Sequence, residues 1–345
     1  MLKLRVHRTI ASVKNVWKEL EKTGGDMCSV YQSYWVNSVV KRRMLIYNIQ
    51  RKCSVRYLQL IEDGKTRMIL PVCKTCGSNR YHSVGQFNGY QVFDFVYSKE
   101  MTPEKMEQYL SFVLRSLKIE HLSLRNVPRE SVLLDCMTGQ KNWLEDYEVS
   151  VQSSDNVCID SKLDYDLWYG NLSKSMRQNV RTAYNRMNTD NVSMDFEISR
   201  GGRVRTAVLN EIIGLYCKRH ATRYNVETSP LKKLYLRYLD FSTACMRYYH
   251  DRFYAVVYMN GKLAAFMSGL VEKGGSSIII PRLSIEDAFS KYSPGVVLIN
   301  ETIRKMASDL GIRYLDLSKG TEQYKLSMGG HLYQTYHIDL IRKRR

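Results

Sequence analysis

The stretch Lys291-Tyr-Ser-Pro-Gly-Val-Val-Leu-Ile-Asn-Glu-Thr-Ile303 joins an apolar helical period to a proline and a glycine at its start. The first-turn N–H groups of a helix lack intrahelical partners and carry partial positive charge, so such a start stabilises an anion. Gly295 puts no side chain in the way of a phosphate, and Pro294 presets the backbone for helix entry. A second basic feature lies upstream. Ser173 reads as an N-cap, and Arg177 and Arg181 fall four apart on the helix it opens, with Lys174 three before Arg177. That face suits an anionic substrate such as a nucleotide-linked or lipid-linked sugar, or else it is a solvated basic face.

The eight cysteines include one Cys-x-x-Cys, Cys73 and Cys76. A zinc site would want a second pair or histidines at ligand spacing, and neither is evident, so the expectation is reduced core thiols and no metal. The 52 basic residues against 34 acidic give a formal charge of +18, a field that attracts RNA, anionic lipid or a phosphorylated ligand without choosing among them. The tail Ile341-Arg-Lys-Arg-Arg345 adds a basic end able to touch a membrane surface. No apolar run approaches the roughly 18 residues that would span a bilayer, and the first residues lack the apolar core of a signal peptide. A cytoplasmic, soluble protein is the expectation.

The elements that must position these residues repeat. In the first half, Arg56–Ile61 and Arg67–Val72 flank the turn Glu62-Asp-Gly-Lys65, and a helical segment from Thr102 precedes a short strand near Leu122. In the second, Arg252–Tyr258 and Leu263–Leu270 flank Asn260-Gly-Lys262. Ser277–Leu283 follows, then the proline-glycine helix, then Tyr314–Leu317. The two turn lysines and the two closing strands lie at nearly the same offset, which argues for a duplicated hairpin, strand, helix, strand unit in an α/β fold of mixed sheets. The polar turn Ser153-Ser-Asp-Asn156 places the boundary so that residues 1–155 and 156–345 form two domains. In the second-half helix the apolar period runs Val296, Ile299, Ile303, Met306 and Leu310, and Gly311 stands at the C-cap position. The matching first-half helix begins Lys99-Glu-Met-Thr-Pro-Glu104, whose carboxylates would repel a phosphate.

Tyr292-Ser-Pro-Gly295, the helix after it, and Leu315-Asp-Leu-Ser-Lys-Gly-Thr-Glu-Gln-Tyr-Lys325 resemble the signature of a bacterial GNAT-superfamily acetyltransferase family linked with cellulose and exopolysaccharide synthesis. That family pairs an SPG-type helix start with a D-x-x-x-G-x-E-x-Y-K closure. Leu172-Ser-Lys-Ser-Met-Arg177 resembles its basic opening helix, and the first half matches more loosely through Ile69-Leu-Pro71 and Asn88-Gly-Tyr-Gln-Val-Phe-Asp94. The resemblance implies tandem GNAT-like domains, the first degenerate, and an acetyl-CoA or other acyl-CoA donor. The Fem-type aminoacyltransferases share the plan but draw on aminoacyl-tRNA. This sequence lacks the Q/R-x-x-G-x-G/A loop of many GNAT enzymes, so both donors stay open.

Carried over residue by residue, the resemblance implies that the donor lies along the strand Ile278–Leu283, with Arg282 beside it. Its phosphates then rest on Lys291, Tyr292, Ser293, Gly295 and Val296. A substrate amine or hydroxyl attacks the donor directly, which requires a base, donors for the developing oxyanion and an acid for the leaving group. Glu286 or Asp287 is the expected base, Tyr292 or Tyr324 the acid, and Asp316 and Lys325 the groups closing the site, with Lys325 stabilising negative charge. Arg177 and Arg181 are the expected substrate contacts. The implied acceptor is a sugar or envelope precursor; tRNA transfer and a non-enzymatic RNA- or membrane-binding role are the rivals.

Overall fold

A computed structural model describes residues 1–23, 29–39, 52–85, 90–139, 144–224, 229–230, 234–236 and 240–343. Cys28, Asn88 and the tail residues Arg344 and Arg345 lie outside them. Two compact units are formed, Met1–Ser154 with Gln334–Arg345, and Asp155–Tyr333.

In the first unit the hairpin Cys53–Glu62 and Lys65–Thr75 turns through Asp63 and Gly64, both at positive φ, which is the type I′ geometry that matches strand twist. Leu2–His7 pairs antiparallel with the outer side of this hairpin. On its other side come Arg80–Ser83 and then, in parallel, His121–Pro128, with the helix Pro103–Ser116 between them in sequence. The 335–341 part of the final strand closes the sheet antiparallel to His121–Pro128, so the end of the chain completes the first unit.

The second unit repeats this order. Asn260 and Gly261, again both at positive φ, join Arg252–Met259 to Lys262–Val271. Met194–Arg200 pairs with the first of these strands and Ser277–Ile285 with the second. Tyr314–Lys319 runs parallel to Ser277–Ile285, the helix Pro294–Lys305 lies between them in sequence, and residues 156–160 close the sheet. The fold is therefore the mixed α/β, duplicated architecture the sequence repeat implied.

Both faces of this second sheet are covered, as strand alternation requires. Phe253, Ala255, Val257, Met267 and Ile278 pack with Trp168, Met176, Val180 and the helix residues Val297, Leu298 and Ile303. Tyr254, Val256 and Phe266 pack on the other side against Val208, Leu209 and Ile212 of the helix Thr206–Tyr224. No helix among the described residues is long and apolar enough to cross a membrane.

Candidate active site

The central strand Ser277–Ile285 is paired on one side over nearly its whole length, yet its parallel partner holds it only at Ser277, Ile278 and Ile279. The cause is local. Between the pairs Ser268↔Arg282 and Leu270↔Ile279, Gly269 stands opposite both Ile280 and Pro281, a bulge that bends the strand. A side chain at Gly269 would place its Cβ 1.9 Å from the Ile279 carbonyl oxygen, so only glycine admits this close approach. Pro281 has no N–H to give to a ladder. Beyond it residues 281–285 leave Tyr314–Lys319, and an interior strand edge opens.

A cleft of about 880 Å³ occupies this opening. Its walls are residues 281–285, Tyr216, Arg219 and Thr222 of the helix Thr206–Tyr224, the segment Ser293–Val296, and Glu322 and Tyr324. A short 3-10 turn, Asp287–Tyr292, passes into the helix Pro294–Lys305 through Ser293, whose φ of 49° is left-handed. For a residue with a Cβ this costs on the order of 1 kcal/mol. The Val296 and Val297 N–H groups both go to the Ser293 carbonyl, at 3.0 and 3.1 Å, and Pro294 has none. Of the first-turn donors the Gly295 N–H is thus the one that no hydrogen bond uses among the described residues. The helix start offers one directed donor and its dipole, fewer than the run of donors its sequence implied.

The helix is held firmly from behind. Buried Asn300 accepts from Tyr165 Oη and donates to Tyr184 Oη, each at 3.0 Å, and Arg304 reaches Glu301 Oε1 at 3.2 Å and Tyr165 Oη at 3.0 Å. With every member partnered, this buried network fixes the helix rather than weakening it.

The structure brings Arg282, Ser293, Gly295, Val296 and Tyr324 together on the cleft. Arg282 does not stand there as a bare cation. Its Nη2 lies 2.5 Å from Asp240 Oδ2, and its guanidinium covers the Tyr216 ring at 4.2 Å. Asp240 is itself the N-cap of the helix Phe241–Tyr248. Burial pushes the Tyr324 phenol up to about 12.

Other expected residues lie elsewhere. Glu286 caps the 3-10 turn and pairs with Lys218 Nζ at 2.5 Å, which holds its carboxyl below the usual range and makes it a poor base. Asp287 pairs with Arg219 at 2.7 Å. Lys291 and Tyr292 both bind Asp190, and this draws the lysine charge away from the helix start. Arg177 donates to the Gly170 carbonyl and, at 2.6 Å, to that of Leu172, so it caps the end of the helix Tyr165–Asn171 instead of lining the cleft. Arg181 meets Gln178 Oε1 at 2.8 Å on an exposed surface.

Lys325 is buried, with Nζ 3.0, 2.9 and 3.3 Å from the carbonyl oxygens of Leu317, Lys319 and Gly320 and 2.9 Å from Glu322 Oε2. It braces the loop that carries Glu322 and Tyr324. Asp316 is also buried, accepting from Ser318 N at 2.7 Å and Tyr333 Oη at 2.6 Å. Desolvation pushes its carboxyl from 3.8 up to about 6, against those two donors and the nearby Lys325 charge. Because the unfolded chain ionises this group first, Asp316 subtracts stability as pH rises from about 4 to about 6, by about 2–3 kcal/mol in all. Urea unfolding of Asp316→Asn and the parent at pH 4, 5, 6 and 7 checks this. The variant should gain on the parent with rising pH, and a difference flat in pH would refute it.

The helix Thr206–Tyr224 and Glu322 were missed as cleft walls. In the sequence Tyr216 continues the helical spacing of the apolar residues Leu209, Ile212 and Ile213, and Arg219 lies one further step along that face. Glu322 stands in the closing motif and is the one carboxylate among the described lining residues.

Residues 174–326, which fall within the second unit, match the family described as acetyltransferase (GNAT) domain. No curated protein matches the sequence. Among solved structures, a conserved protein of unknown function from Bacteroides thetaiotaomicron aligns with a TM-score of 0.57 at 12% identity, covering 99% of this chain and 100% of its own. FemX aligns at 0.57 and 11% identity, covering 98% and 97%. A tandem GNAT protein from the clavulanic acid biosynthesis pathway aligns at 0.53 and 9% identity, covering 99% and 98%. At such identities these likenesses are of fold.

Proposed function

We propose, for an acyltransferase whose residues 174–326 match a GNAT domain, that the cleft takes an acyl-CoA donor and passes its acyl group, acetyl in the simplest case, to an amine or hydroxyl of a sugar or cell-envelope precursor. The observation that carries this reading is the splayed strand ending at a helix start. An extended, amide-bearing arm can lie along the free edge at residues 281–285 while a phosphate meets the Gly295 N–H.

Direct attack by the acceptor needs no protein nucleophile. Glu322, the carboxylate on the cleft wall, is tied to Lys325 as Glu286 is to Lys218 and is no better a base, so it accepts a hydrogen bond from the acceptor while the acceptor proton passes to solvent at its half-exposed side. Tyr324 is a hydrogen-bond donor and not a proton source, because a phenol near 12 would give its proton to a thiolate of pKa about 8.5 at a cost of about 5 kcal/mol. Its O–H can stabilise the developing charge without transfer.

A second reading, aminoacyl transfer from tRNA, also suits the +18 charge. Calorimetric titration separates the two: acetyl-CoA should bind one to one and saturably. Absence of any acyl-CoA binding, with salt-steep tRNA binding and transfer of a labelled aminoacyl group, would overturn the first reading in favour of the second. Tyr324→Phe should lower kcat about 10- to 100-fold with donor affinity unchanged.

A further inference from the structure

Three ligand-type side chains converge on one face of the first unit's sheet. Cys73 stands directly opposite His82 on the neighbouring strand, and Cys53 is opposite Thr75, two residues along from Cys73 and therefore on the same face. The ligand atoms of Cys53, Cys73 and His82 all lie within 4.8 Å of one another. Cys73 is fully buried and Cys53 nearly so, while His82 is half-buried and gives the cluster a route to solvent. Neither cysteine is in a disulfide.

We infer that Cys53, Cys73 and His82 form a zinc site tying the three consecutive strands 53–62, 65–75 and 80–83 together. A tetrahedral zinc with Zn–S near 2.3 Å sets its sulfurs about 3.8 Å apart, which the 4.8 Å span of the three ligand atoms accommodates. Thiolate and imidazole ligands select zinc over calcium or magnesium. Binding exchanges the two thiol protons for one Zn2+ with no change of oxidation state, and two thiolates offset the dication, so the buried site carries no net charge. With three protein ligands, water fills the fourth position. Cys76, the exposed partner in the Cys-x-x-Cys, is not in the cluster. The ligands come from three strands, which is why sequence spacing gave no sign of them.

The test uses the full chain, stripped of metal and reduced, titrated with Co2+ or Zn2+ alone. One Co2+ should bind per chain with sulfur-to-cobalt charge-transfer absorption, Zn2+ should displace it, and Zn2+ uptake should release two protons. Cys53→Ser and Cys73→Ser should each weaken that absorption, and the double variant should abolish it. His82→Gln, at the half-exposed ligand, should keep it and weaken cobalt binding at least ten-fold. Proton release and the His82→Gln series decide the matter on folded protein should the serine variants unfold. Absence of the absorption, its persistence in the Cys53→Ser/Cys73→Ser double variant, or a chain isolated without reductant that is metal-free and lighter by two hydrogens through a Cys53–Cys73 disulfide would each overturn the inference.

Discussion

Gly295→Glu should abolish acyl-CoA binding while leaving the chain folded. The site tolerates the backbone change, since a Cβ there would meet only the Ile285 methyl Cγ2, at 3.3 Å, and the helix has no acidic residue in its first turn to crowd it. A carboxylate at this position favours the helix itself, by about 0.3–1 kcal/mol, because it meets the positive end of the dipole. The same charge competes for the single free first-turn donor and repels an incoming phosphate. At about 4 Å and an effective dielectric near 20, each such repulsion is worth about 4 kcal/mol before salt screening. Screening leaves enough for at least about a 100-fold loss of affinity, since every 1.4 kcal/mol is about tenfold. Calorimetric titration with coenzyme A, alongside the thermal midpoint, reads both quantities. Unchanged affinity would remove the helix start from the donor site.

The second large effect belongs to Lys325→Met. The ammonium is 6% exposed and serves three carbonyl oxygens that lie at the end of a strand and in the loop after it. Methionine fills much of the same volume but leaves those oxygens without a donor, at about 3–5 kcal/mol in total. The pair with Glu322 adds little, because that carboxylate is 51% exposed and well screened. For a unit of this size such a loss lowers the thermal midpoint by about 10 °C. Catalysis should fall as well, since Glu322 and Tyr324 hang on the braced loop, but only together with stability. A variant of unchanged stability and reduced kcat would instead make Lys325 a catalytic residue, as the resemblance implied.

Much of this protein follows from local chemistry legible in the sequence. Asp63-Gly64 and Asn260-Gly261 are the residues that reach positive φ at both turn positions, so the two hairpins and their repeat could be read directly. Gly311, at φ 60°, sits at the left-handed C-cap expected of it. Pro294 and Gly295 open their helix where the period begins, because the preference of each residue there is a property of its own backbone.

What a side chain faces is not such a property. Lys291 next to a helix start looked like phosphate charge until the fold set Asp190 against it, and Glu286 looked like a base until Lys218 came within 2.5 Å. Arg177 found carbonyls to cap. Each of these partners lies on a different element or in another turn, and charge pairing depends on distance in space, to which sequence separation is blind. The bulge at Gly269 is likewise set by strand register, and with Pro281 it splays residues 281–285 into a cleft wall. Local conformation and the repeat were thus determined by the residues themselves, whereas the cleft, its Glu322 and Tyr324, and the meeting of Cys53, Cys73 and His82 were decided by tertiary packing, because each needs groups far apart in the chain to share a few ångströms.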